Sequence, residues 1–107
     1  MSAPTVLLVF STCPDAASAD AIARALVGEG LAACVTRLPG ARSIYRWQGA
    51  VEEAEEVQLL IKTTRPRLQA LAERLRALHP YELPELVAVE AQGGWAPYLQ
   101  WIAEQTA

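Results

Sequence analysis

Apolar residues recur along this chain with two different periods, and the changes of period mark its elements. Thr5 to Phe10 (TVLLVF) is a continuous run of β-branched and aliphatic residues, which predicts a buried strand. Ser11 to Asp15 (STCPD) reads as a turn, with Pro14 placed to start a helix. From about Asp15 to Glu29 the residues Ala19, Ile22, Ala23, Leu26 and Val27 recur at helical spacing, and Gly30 is the expected C-terminal cap. Leu31 to Leu38 predicts a strand that Pro39-Gly40 breaks; Ser43 to Trp47 resumes one, with aromatics two apart. Gln48-Gly49 turns the chain. Glu55 to Thr64 is the partner strand of a long hairpin. Val57, Leu59 and Ile61 fall on one face, and Gln58, Leu60 and Lys62 on the other.

The helical period returns over Arg65 to Leu78, with Pro66 in the first turn and an apolar stripe of Leu68, Leu71, Ala72, Leu75 and Leu78. His79-Pro80 stops it, because a residue before proline is pushed out of the helical region. Glu85 to Glu90 predicts a fourth strand, and Ala96 to Gln105 a short last helix carrying Tyr98, Leu99 and Ile102. The order is βαββαβ plus a C-terminal helix. That is an α+β, ferredoxin-like arrangement, with two helices on one face of an antiparallel sheet. Residues 1–107 are expected to form a single domain, with no linker, repeat or low-complexity stretch.

Composition narrows the function classes. At 107 residues and 52% hydrophobic the chain is globular, and a domain of this size buries only about two-thirds of its unfolded surface, so association would add stability. The net charge is −3, and the single lysine and the arginines are scattered, so no basic face for nucleic acid is expected. Glu52, Glu53, Glu55 and Glu56 are the only charge cluster, read as a solvated hairpin end. The segment before Val6 is short and lacks a basic region, and no apolar run approaches the roughly 20 residues that span a bilayer. With Cys13 and Cys34 at no zinc or redox spacing, a reducing, cytoplasmic location is the default expectation.

The segments LAACVTRLPGARSIYRWQGAVEE, VQLLIKTT, HPYELPELVAV and YLQWI, in that order from Leu31 to Ile102, resemble the CutA family. The resemblance implies a ferredoxin-like fold, a homotrimer akin in architecture to the PII regulators, and a link to divalent-cation tolerance, copper above all. It implies no catalytic reaction. The chain departs from the family in having Thr36 where an asparagine is common. The copper ligands of some members, a first-strand cysteine and two histidines before a Pro-Tyr, meet Ser11 here, with Cys13 two residues on, and only His79, with Leu78 in the other place.

Each candidate residue has a plain reading beside the functional one. Cys34 is an inert strand thiol or a soft-metal ligand. Cys13, at a strand end beside a helix start, is a structural or an activated thiol. His79, the only histidine, is a helix-terminal residue or a ligand, with Tyr81, Glu82 and Glu85 near it in sequence. The metal set expected is His79, Cys13 and Glu82, holding Cu(II) or Zn(II) weakly, with no tightly bound cofactor. Cys34, Tyr45, Trp47, Lys62, Tyr81 and Glu85 are expected at a trimer interface or pocket, since aromatics on a long hairpin suit an interface core. An acylphosphatase-type enzyme is disfavoured by the absence of any asparagine, a metallochaperone by the missing second cysteine, and an RNA-binding module by the missing aromatic and basic sheet face. A non-catalytic trimeric scaffold, binding a small molecule or a partner protein, is the alternative to metal response. Neither nucleic acid nor membrane is expected as a partner.

Overall fold

The computed structural model describes residues 3–107. Met1 and Ser2, counted above in the single domain, lie outside the described residues. The elements run β1 (Val6–Cys13), α1 (Ala16–Gly28), β2 (Cys34–Trp47), β3 (Ala50–Thr64), a 3-10 turn (Arg65–Arg67), α2 (Leu68–Leu78), β4 (Val87–Glu90) and α3 (Ala96–Gln105). The four strands form one antiparallel sheet in the order β2-β3-β1-β4. The fold class is the one predicted.

The boundaries of all four strands differ, and so does the start of the second helix, where Arg65–Arg67, predicted as α-helical, form the 3-10 turn. β1 continues through Ser11, Thr12 and Cys13, predicted as a turn, because β3 is long enough to pair them with Leu59, Gln58 and Val57. β2 is one strand and not two. Pro39-Gly40 forms a bulge between Leu38 and Ala41, and Gly40 sits at φ +79°. An edge strand tolerates a proline at a bulge because it has no second neighbour to bond. β3 begins five residues earlier than expected, at Ala50, so the β2–β3 arm is longer. β4 is shorter, since residues 80–86 form a loop. Gln48 and Gly49 both have positive φ, as a two-residue hairpin turn that follows strand twist requires.

Helix α1 starts where Asp15 accepts a hydrogen bond from the Ser18 N–H at 2.8 Å, and it closes before Gly30 at φ +70°. Its residues Ala19, Ile22 and Leu26 pack with Leu71 and Leu75 of α2 onto Leu7, Val9, Leu59 and Ile61 of the sheet. Burying each such aliphatic side chain contributes about 1.5–3 kcal/mol. Helix α3 closes a second, smaller cluster, in which Ile102 meets Val6 and Ala33. Arg67 donates to the Thr106 and Ala107 carbonyls at 2.8 and 2.9 Å, and Thr64 and Thr106 share a buried hydroxyl contact, so the C-terminus is tied down.

The opposite sheet face is not covered in the same way. Register puts Leu8, Phe10, Leu60, Val87 and Val89 together on it, with Val87 55% and Val89 45% exposed. The arm beyond β1 projects, giving extents of 49 × 25 × 23 Å and a radius of gyration of 14.5 Å. A compact chain of this length would have a radius of roughly 13 Å.

Candidate functional site

A cleft lies between the root of the β2–β3 arm and the loop over residues 80–85, and encloses about 720 Å³. β1 stops at Cys13 while β3 runs on, which leaves Glu56 without a β1 neighbour and lets the loop fold over it. Ser43, Tyr45 and Trp47 of β2 line the cleft with Glu56. Thr12 lies at its base, and Tyr81, Glu82, Leu83 and Glu85 are among the residues that form the far wall.

Three hydrogen bonds hold the loop. The His79 ring donates from Nε2 to the Thr12 carbonyl at 2.6 Å, and its Nδ1 accepts the Tyr81 N–H at 3.1 Å. Those two bonds fix the neutral tautomer. The Ser11 hydroxyl donates to the Glu85 carbonyl at 2.8 Å. The His79 and Tyr81 rings also pack at 4.8 Å between centroids. At the bottom of the cleft the Tyr81 hydroxyl donates to Glu56 Oε2 at 2.7 Å. Burial, reinforced by the Glu56 carboxylate, pushes the Tyr81 phenol above its ordinary range, so it stays a donor.

The expected residues divide into three groups. Tyr45, Trp47, Tyr81, Glu82 and Glu85 come together in the cleft. Cys34 and Lys62 do not; they are a cross-strand pair further along the sheet, where Lys62 Nζ lies 5.8 Å from the Tyr98 ring. His79, Cys13 and Glu82 do not converge on one point. Both His79 nitrogens are engaged. Cys13 is fully buried, with its thiol pushed up to about 11 chiefly by desolvation, and is a neutral thiol near pH 7. Among the described residues no three His, Cys, Asp or Glu side chains are grouped to hold a metal ion. A metal ligand set within one chain therefore does not fit these residues.

Sequence reasoning missed Glu56. It was grouped with exposed hairpin charges, but only 6% of it is exposed, unlike Glu52, Glu53 and Glu55. Its position next to Val57, at the start of the apolar alternation of β3, was the available signal. Thr12 and Ser43 were missed as lining residues because the extent of β1 and the bulge in β2 were not foreseen.

Comparison with known proteins agrees with this fold. The family model described as CutA1 divalent ion tolerance protein matches residues 7–105. The divalent-cation tolerance protein CutA of Thermus thermophilus is 50% identical over 99 residues, 92% of this chain and 96% of that protein. The crystal structure of CutA from Xylella fastidiosa superposes with a TM-score of 0.93 at 56% identity, covering 95% of this chain and 98% of that one. The structure of a CutA from Archaeoglobus fulgidus, named a periplasmic divalent cation tolerance protein, gives 0.92 at 29% identity over 95% and 99%. From residue 7 to residue 105, then, the chain belongs to the CutA1 divalent ion tolerance family.

Proposed function

We propose that this protein serves divalent-cation tolerance as a non-catalytic homotrimer, with copper the foremost ion, in the cytoplasm. The observation that carries the assembly is the apolar sheet face of Leu8, Phe10, Leu60, Val87 and Val89, which α1 and α2 leave open. A face of this kind marks an interaction surface. The projecting arm supports the same reading, since β2 and β4 are both sheet edges with backbone groups to satisfy. Three-fold symmetry comes from the family resemblance. The free thiols of Cys13 and Cys34 suit a reducing compartment.

Metal handling is a property of the assembled protein, and binding of Cu(II) or Zn(II) is weak. The Nδ1 lone pair of His79 reaches a metal only after the Tyr81 N–H hydrogen bond is given up. A structural zinc site has four good ligands in closed geometry, which this chain does not assemble. Native mass spectrometry and sedimentation test the reading together. A trimer at micromolar concentration that retains no stoichiometric metal is expected. A monomer, or sub-nanomolar Cu(II) affinity lost in His79→Ala, would overturn it.

A further inference from the structure

We propose that the cleft at the root of the arm is a binding site for a protonated alkyl polyamine. Its lining includes three carboxylates, from Glu56, Glu82 and Glu85, and no lysine or arginine. Its potential therefore selects cations. Glu56 is the centre of the argument. Almost wholly buried, it has no ion-pair partner among the described residues, and the Tyr81 hydroxyl satisfies only Oε2. Among the described residues no buried side-chain oxygen is left without a hydrogen-bond partner, so the unbonded Oε1 is reached from the cleft. A buried carboxylate facing an open cleft without a counter-charge is a place where an ammonium group gains a charge-assisted hydrogen bond.

Size and dispersion separate a polyamine from a metal ion. The cleft is far larger than any hydrated metal needs, and falls within the range of small-molecule pockets. The three carboxylates are not close enough to grip one point charge. A chain bearing several ammonium groups reaches all of them at once. Tyr45, Trp47 and Tyr81 offer aromatic surface to a cation, and Leu83 offers apolar surface to the methylenes between charges.

Calorimetric titration of the full chain with spermidine at low salt tests the proposal. One site per chain is expected. Glu56→Gln should weaken binding about tenfold, the loss of one charge-assisted hydrogen bond. Trp47→Leu should weaken it about threefold. Glu82→Gln combined with Glu85→Gln changes only exposed side chains, so it keeps the test valid should the buried substitution unfold; a loss of about threefold is expected. Glu104→Gln on α3 removes the same charge away from the cleft and should change nothing. Equal loss in Glu104→Gln and Glu56→Gln would reduce the effect to net charge and overturn the site. So would absence of binding, or displacement of spermidine by stoichiometric Zn(II), which would make the site one for an inorganic ion. Those failures leave the tolerance reading standing, because that reading rests on assembly and not on this cleft.

Discussion

Leu59 and Leu60 are neighbours in β3 with opposite circumstances. Leu59 is fully buried beneath α1 and α2, whereas Leu60 shares a half-covered face with Phe10 and Val87. The helices saturate one side of the sheet within the chain. The other side, and the arm that continues it, present apolar and aromatic groups that the chain itself leaves uncovered. Strand alternation therefore distributes one sequence between two tasks, intramolecular folding and contact with something outside. The cleft lies at the junction, where a carboxylate is buried without an apolar neighbour's reason to be there.

The largest effect should come from the covered face. Leu59→Ala is expected to cost about 2–5 kcal/mol of unfolding free energy by denaturant titration, as a cavity under packed helices does. Leu60→Ala should cost far less folding stability in a dissociated chain and should instead shift the sedimentation distribution. Equal losses from both would erase the contrast between the faces. Next comes the cleft. Tyr81→Phe removes the hydroxyl from Glu56 and should cost about 1–3 kcal/mol, since a hydrogen bond to a charged group is lost from a half-buried site. An unchanged midpoint would mean that water replaces the hydroxyl freely.

The two thiols sharpen the comparison further. Cys13, on the covered face, should react with a thiol reagent only through unfolding, while Cys34, half-buried, should react faster in the native state. The raised Cys13 value also gives a pH signature. Its contribution to stability is intact below the ordinary thiol range and is lost as pH rises from about 9 through about 11. Cys13→Ala should flatten that alkaline limb. The smallest effect belongs to exposed Asp15, whose carboxyl is held below its usual range by the Ser18 N–H. Its contribution is present above the ordinary carboxylate value of about 3.9 and fades as pH falls through the lowered one. Asp15→Ala should remove that acid-limb dependence in thermal melts.

Periodic elements were legible and interruptions were not. The α3 boundaries and the two faces of β3 follow from spacing alone, because burial imposes the period. Pro39-Gly40 reads as a strand end in the sequence, since local turn chemistry says nothing about edge position in a sheet. The cleft aromatics stood out as residues two apart on a strand. Glu56 did not, because its burial depends on a loop that arrives 25 residues later in the chain. For the same reason the joint engagement of His79 by Thr12 and Tyr81 could not be read from a lone histidine before proline.

The bulge in β2 acts as a frameshift in the reading of the arm. Before it, Cys34, Thr36 and Leu38 oppose Lys62, Leu60 and Gln58; after it, Ala41, Ser43, Tyr45 and Trp47 oppose Glu56, Ala54, Glu52 and Ala50. The parity of β2 changes from even to odd while β3 keeps count. Deleting Gly40 while preserving the Gln48-Gly49 turn and its pairing would remove the bulge and leave the pairs on either side of it as they are. Ser43, Tyr45 and Trp47 would still share a face with Glu56, because directly paired residues of two strands lie on the same side of the sheet. The extra residue thus bends the edge strand without exchanging its faces, so length variation at this position would change how the arm leans over the cleft and not which side chains line it.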